Sequence, residues 1–331
     1  MADGLVDRVG ALRRVTTRDI ALGVAKLGPV VVLVILASVA AIAIPNFATR
    51  FNLVNLSYQA AIFIVLGVGM TFVITGGGID LSIGSQVALV AVLMASWIQT
   101  YGFPVWLAVV CAILLGMALG TFNGVLIGFF RIPDFIVTLA AMETFRGLAL
   151  VHSAGKIWFD FPVSLRAIGL TRILGVPFPV YLALFVAVIG GLVYHFTFFG
   201  RHTIAIGGNW EAAKLAGVAT RKYKILTYTV MGALCGIGAV MYTARLDSAQ
   251  ATMATNYEIH VIATVIMGGT SLFGGHGSQS GTVVGALILA IIANTMVLRG
   301  VPFFWRLVAT GIIIVVAVLL NMWRERVLRS E

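Results

Sequence analysis

Four places in the chain put polar or charged side chains beside or inside long apolar runs, where they could act on a solute. The first is TGGGIDLSIGS, Thr75–Ser85, which sets Asp80 and Ser82 among four glycines. The second is the pair Glu143 and Arg146, three residues apart and so on one helical face, where each charge can offset the other. The third is Asn294, an amide within an apolar run, suited to interhelical hydrogen bonding or to lining a path. The fourth is GGNWEAAKLAGV, Gly207–Val218, which reads as a short polar helix. Asn209 can cap it, Glu211 favours the positive end of its dipole, Lys214 lies three residues on, and Gly217 can end it. Catalytic patterns are absent: there is no HExxH, no nucleophile elbow and no metal-spaced His/Cys cluster. Without a GxxxxGK[ST] loop the chain has no phosphate cradle for ATP either. The chemistry open to these groups is therefore binding and passage, with no cofactor or metal on this chain.

The solvent follows from composition. Of 331 residues 60% are hydrophobic and only 10% charged, with a mean hydropathy of +1.05. A soluble chain of that length needs a polar surface this one cannot supply, whereas lipid-facing helices need none. Cys111 and Cys235 each lie inside an apolar run and read as small buried hydrophobes, not as a disulfide. A net charge of +10 could suggest nucleic acid, but the basic residues are scattered in short loops without an aromatic-interleaved stripe, so no nucleic-acid partner is expected.

A span needs about 20 helical residues to cross roughly 30 Å of hydrocarbon. Dividing the apolar runs by that length predicts an all-α polytopic membrane protein of about ten transmembrane helices with glycine-rich breaks. The spans lie near 28–44, 54–74, 83–98, 104–129, 134–151, 178–198, 225–245, 258–271, 281–298 and 303–323. The membrane domain thus covers 28–323, between tails at 1–27 and 324–331. The N-terminal segment has no signal-peptide pattern and is expected to be a retained tail. Assigning both tails inward places 14 of the 22 basic residues on the inner side and six outside, so both termini are predicted cytoplasmic. Two connections are long enough to fold: an outer one, His152–Pro177, expected as a partly folded cap, and an inner one, 200–224.

Clustered glycines break helices, and the backbone groups so freed must face protein or water. Breaks of this kind in both halves point to a transport pathway and a duplicated architecture. The second break is GGTSLFGGHGSQSG, Gly268–Gly281. Both breaks follow spans running inward, whereas an inverted repeat would orient them oppositely. Asp80 at the bilayer centre would cost about 2.5–3.5 kcal/mol. Nearer the interface its cost falls, and it could instead cap the helix beginning near Leu81 or Ser82.

TGGGIDLSIGS resembles the TGGIDLSVGS signature of the permease subunits of ribose-type ABC sugar importers. The resemblance runs from about Asn52 onward through PDFIVTLAAMETFRGLAL (133–150), AIGGNWEAAKLAGV (205–218), MGGTSLFGGHGSQSGTVVGALI (267–288) and NTMVLRGVPFFWRLVATGIII (294–314). It departs at Tyr257–Glu258–Ile259–His260, where His260 takes a usually acidic position. The resemblance implies a permease in a bacterial inner membrane, working with a cytoplasmic ABC ATPase, an extracytoplasmic solute-binding protein and a second permease copy or homologue. It also implies that Asn209, Trp210, Glu211, Ala212, Ala213, Lys214 and Gly217 form the helix that couples to the ATPase. Asp80, Ser82, Glu143, Arg146 and Asn294 are candidates for the substrate pathway or gate. A self-sufficient secondary transporter or facilitator would explain the same breaks and intramembrane acid; a membrane-embedded enzyme would need catalytic groups that are missing.

Overall fold

The computed structural model describes residues 17–329, almost entirely as helices. They are α1 (Thr17–Ala43), α2 (Arg50–Thr75), α3 (Ile83–Gln99), α4 (Val105–Gly128), α5 (Asp134–Ser153), α6 (Val163–Leu170) and α7 (Phe178–Phe196). The rest are α8 (Phe198–Gly208), α9 (Trp210–Leu215), α10 (Thr220–Leu246), α11 (Tyr257–Met267), α12 (Gln279–Leu298) and α13 (Phe303–Arg329). Among the described residues α2, α4, α5, α7, α10 and α12 are long and apolar enough to cross a membrane. Shorter apolar helices occur at Gly28–Ala43, in α3, in α11 and at Phe303–Val316, so all ten expected stretches are helical but not all of full crossing length. Residues 1–16 of the expected N-terminal tail and 330–331 of the C-terminal tail lie outside the described residues. α1 begins inside the first tail and α13 runs through most of the second.

α2 is hydrophobic on every face, which suits a helix surrounded by protein, and nearly every residue from Ala60 to Thr75 is buried. α10 packs antiparallel to it: Lys224 reaches Gly76 near one end, and Gly238 lies against Leu66 further along. α12 is antiparallel to α2 as well, tied by Thr71–Thr282 and Asn52–Asn294. α4 crosses α10 at backbone contact, because a Cβ on Gly120 would stand 2.1 Å from Tyr228 O. The outward faces of α4, α5, α7 and α13 carry exposed large side chains, among them Trp106, Phe185 and Ile312. Such a surface suits lipid, and the chain is an all-α, multi-pass membrane protein.

The order of α2–α5 repeats in α10–α13: a long helix, a non-helical stretch, a short helix, then two longer helices. The packing repeats too, α4 lying on α10 as α12 lies on α2. α2 and α10 are antiparallel, so the halves run in opposite directions. The counterpart of the 76–82 break is thus the stretch 247–256 ahead of α11, not Gly268–Gly281. This removes the conflict between an inverted repeat and two breaks that follow helices of the same direction.

The expected cap at His152–Pro177 is folded. It contains α6, a hairpin of β2 (Arg172–Ile173) and β3 (Val176–Pro177), and β1 (Trp158–Phe159) paired with β4 (Ser248–Ala249). Asp247 accepts from the Phe161 N–H at 2.9 Å, and Arg166 lies 3.7 Å from the Asp247 carboxylate.

Candidate functional site

The first glycine-rich break lets α2 stop and the chain double back to start α3. Gly77, at φ +69, takes the left-handed conformation that favours glycine. The chain is then non-helical until Ser82. Its freed carbonyls find partners: Gly76 O accepts from Lys224 Nζ at 3.1 Å, and Ile79 O from the Thr138 hydroxyl at 3.2 Å. Lys224 also pairs with Asp134 at 2.7 Å, and the Tyr228 hydroxyl donates to Asp134 Oδ2 at 2.8 Å. Asp134 from α5 and Lys224 and Tyr228 from α10 thus clamp the break. Removing one partner of such a buried pair strands the other charge.

Within the break Asp80 is fully buried. Its Oδ1 accepts from the Ser82 N–H at 2.8 Å and the Ser82 hydroxyl at 2.6 Å, a local turn that fixes how α3 begins. Ser82 occupies the N-cap position, and its hydroxyl bonds to no helix N–H. Instead its oxygen accepts from Asn123 Nδ2 at 3.0 Å. Asp80 Oδ2, Asn123 Oδ1 and both polar atoms of Gln86 are buried without a hydrogen-bond partner. These are groups that ordinarily need one, and they gather at or within a turn of the start of α3. The positive end of that helix favours a negative charge or a polar oxygen.

From the other half, the stretch before α11 reaches the same point. A Cβ on Gly84 would stand 2.3 Å from Ala254 O and 2.7 Å from a Glu258 carboxylate oxygen. The first turns of α3 and α11 therefore meet, and Asp80 and Glu258, both buried, bring two acids to one polar centre.

The sequence candidates divide on this geometry. Asp80 and Ser82 belong to the centre. Arg146 donates to the carbonyls of Ala251 and Met253, which hold the stretch before α11, and its guanidinium lies near enough to attract the Glu258 carboxylate at the edge of the centre. Glu143 is exposed, and the two make no ion pair, although they lie on one helix face as expected. Asn294 exchanges amide hydrogen bonds with Asn52, at 2.9 and 2.7 Å, far along α2 from the break. His260 packs beside Phe63, with 5.7 Å between ring centres and the planes tilted by 47°. Asn123, Gln86, Asp134, Lys224, Tyr228 and Glu258 were not among the sequence candidates. Each is one polar residue in or beside an apolar run; Asn123, Asp134, Lys224 and Tyr228 take their roles from partners 41 to 149 positions away, Glu258 from its approach to Gly84, and Gln86 from burial beside the start of α3.

The second break approaches the first from beneath. Gly275 N–H donates to Thr75 O, the end of α2, at 2.9 Å. Gly207, in the last turn of α8, sits so close that a Cβ would stand 1.8 Å from Thr75 O and 2.8 Å from Gly275 N. Both breaks and α8 thus share one junction. Three residues after Gly207 α9 begins: at its N-cap Asn209 Oδ1 accepts from the Ala212 N–H at 2.9 Å, and Gly217 turns at φ +83. Glu211, Ala212, Lys214 and Leu215 are exposed, Trp210 is half-buried, and Ala213 alone is buried.

The family described as "Branched-chain amino acid transport system / permease component" matches residues 52–318. The ribose import permease protein RbsC of Bacillus subtilis (strain 168) is 41% identical over 298 residues, covering 89% of this chain and 92% of that one. RbsC of Escherichia coli (strain K12) is 38% identical over 295 residues, 88% of this chain and 92% of that one. The L-arabinose transport system permease protein AraH of E. coli (strain K12) is 36% identical over 303 residues, 92% of each. No solved structure matches.

Proposed function

We infer function from family: this chain belongs to the branched-chain amino acid transport system / permease component family, and it is the membrane-spanning permease subunit of an importer that carries a monosaccharide. Support for the solute class comes from relatives named as ribose and L-arabinose permeases. As a permease component it is not itself the enzyme of the system; a cytoplasmic ABC ATPase supplies the energy. An extracytoplasmic binding protein delivers the sugar, and a second copy or a homologous permease completes the pathway.

In this reading the ten apolar stretches each pass the bacterial inner membrane, with the breaks ahead of α3 and α11 entering from opposite sides so that these two helices begin near its middle. Both termini, α8 and α9 face the cytoplasm. The polar centre at Asp80, Ser82, Asn123, Gln86 and Glu258 is the gate, and its unpartnered oxygens and amide suit sugar hydroxyls when the helices part. The ATPase acts through α9, because a ligand moves an equilibrium only by binding two conformations unequally.

The observation that carries this mechanism is the junction of Thr75, Gly207 and Gly275, which puts the segment leading to α9 in backbone contact with both breaks. Glu211→Arg tests it. The change reverses a charge on the exposed turn of α9, remote from the packed helices, so the protein should insert normally yet lose most of its sugar-stimulated ATPase activity in proteoliposomes with its partners. Full association and stimulation would remove Glu211 from the contact. Loss of Trp210–Ala216 without effect on either would end the coupling role of α9. ATP-independent uptake by the purified chain alone would favour a self-sufficient carrier.

A further inference from the structure

An apolar groove opens between α2, α7, α8 and α10. Its walls include Phe72 from α2, Ile189 and Val193 from α7, Phe199 from α8, and Leu226 and Val230 from α10. Its volume is about 480 Å³, and its lining is almost wholly hydrocarbon. Gly190 forms its floor, where a Cβ would stand 2.5 Å from Val68 Cγ1.

Size excludes one occupant. A helix about 10 Å across fills roughly 800 Å³ in each 10 Å of its length, so a second copy could set side chains against the groove but a whole helix cannot lie inside it. A single hydrocarbon chain can. The groove also has direction: on α10, Leu226, Val230 and Leu234 line it at four-residue spacing. One turn before them on the same face stands Lys222, exposed and without an ion-pair partner among the described residues. α8 closes the same end, the His202 ring 4.5 Å from that of Tyr223. There Arg201 is a second exposed cation, its guanidinium 4.8 Å from the Phe198 ring. Apolar walls ending in two cations match a molecule with a fatty tail and an anionic head.

We propose that this groove is a binding site for one anionic phospholipid, an acyl chain lying along Leu226–Leu234 and the phosphate at Lys222 and Arg201. The lipid would touch Phe72, one turn before the break, and Phe199, on the helix that carries Gly207. Its presence therefore supports the junction as well as the surface.

Native mass spectrometry of the delipidated full-length chain tests the site, with phosphatidylglycerol or phosphatidylethanolamine added back. Wild type should retain one phosphatidylglycerol more tightly than phosphatidylethanolamine. Val230→Trp, which fills the groove, should lose it. Lys222→Gln should still bind lipid but with the anionic preference reduced about fivefold, the factor for one basic residue worth ~1 kcal/mol near an anionic headgroup. If Val230→Trp fails to fold, Ile189→Trp fills the same space from α7 and gives the same readout. Unchanged affinity for phosphatidylglycerol in a folded groove-filling variant, or unchanged preference in Lys222→Gln, overturns the proposal. So does disulfide cross-linking between two copies through Ile189→Cys, which would make the groove a protein interface.

Discussion

A single carboxylate can hold a turn and serve a pathway at once, and Asp80 is placed for both. Its Oδ1 is occupied by Ser82, while Oδ2 faces buried space without a partner. Asparagine can present the same accepting oxygen to Ser82 but carries no charge. Asp80→Asn should therefore keep expression and thermal stability near wild type, within about 1 kcal/mol, while lowering sugar uptake at least tenfold. Asp80→Ala, which removes the turn as well, should reduce both. Equal uptake by wild type and Asp80→Asn in reconstituted vesicles would leave the residue as the start of α3 and nothing more. Lys224 makes the complementary point. Its charge reads from sequence as part of an inner-loop bias, yet its side chain is buried against Asp134 and Gly76 O and stitches α10 to the break.

At the scale of elements, glycine sets where backbones can meet, and Gly207 and Gly208 offer a controlled comparison. A Cβ at Gly207 has 1.8 Å to Thr75 O, whereas one at Gly208 meets only Gly275 Cα, at 3.9 Å. Gly207→Ala must push α8 away from the end of α2 and the second break. Gly208→Ala asks for no movement. The first should lose most transport while the second keeps more than half, with both variants reaching the membrane. Similar losses in the two, measured as uptake per inserted protein, would remove the junction from the coupling path. The short α3 follows the same logic: it begins within the protein, where Ser82 to Gln86 at its start are buried by other helices.

Across the whole molecule, opposite running directions in α2–α5 and α10–α13 place the breaks ahead of α3 and α11 face to face, so one polar centre draws on both halves. The same arrangement sets the end of α1 beside the start of α13, where Arg299 donates to Ala43 O at 2.8 Å. Two helices that share one end there send their other ends to the opposite face. The topology expected from sequence assigns 14 of the 22 basic residues to that side, and on the rule for positive charge we propose that it is the cytoplasmic one. A reporter fused after Glu331 should accordingly read cytoplasmic, and one inserted at Gly155–Lys156 should read outside. The reverse signals would invert every loop.

Composition and apolar run length were enough to establish a polytopic helical membrane protein, because hydrocarbon demands long apolar helices wherever they pack. Local chemistry was enough for the glycine breaks and for α9, since caps and left-handed turns depend on neighbours a few residues apart: Asn209 with Ala212, Gly217 with its own φ. The TGGGIDLSIGS resemblance reached the family for the same reason, as an uninterrupted motif. Tertiary structure alone decided which groups share a site. Asn123 meets Ser82 across 41 positions and Lys224 meets Asp134 across 90, and no period in the sequence encodes such pairs. It also separated Asn294 from the polar centre and turned it to Asn52, and it set Arg146 on the 251–253 carbonyls at the edge of that centre. An isolated polar residue in an apolar helix has the same signature whether it lines a path or ties two helices together; its partner is chosen by packing, which only the folded chain contains.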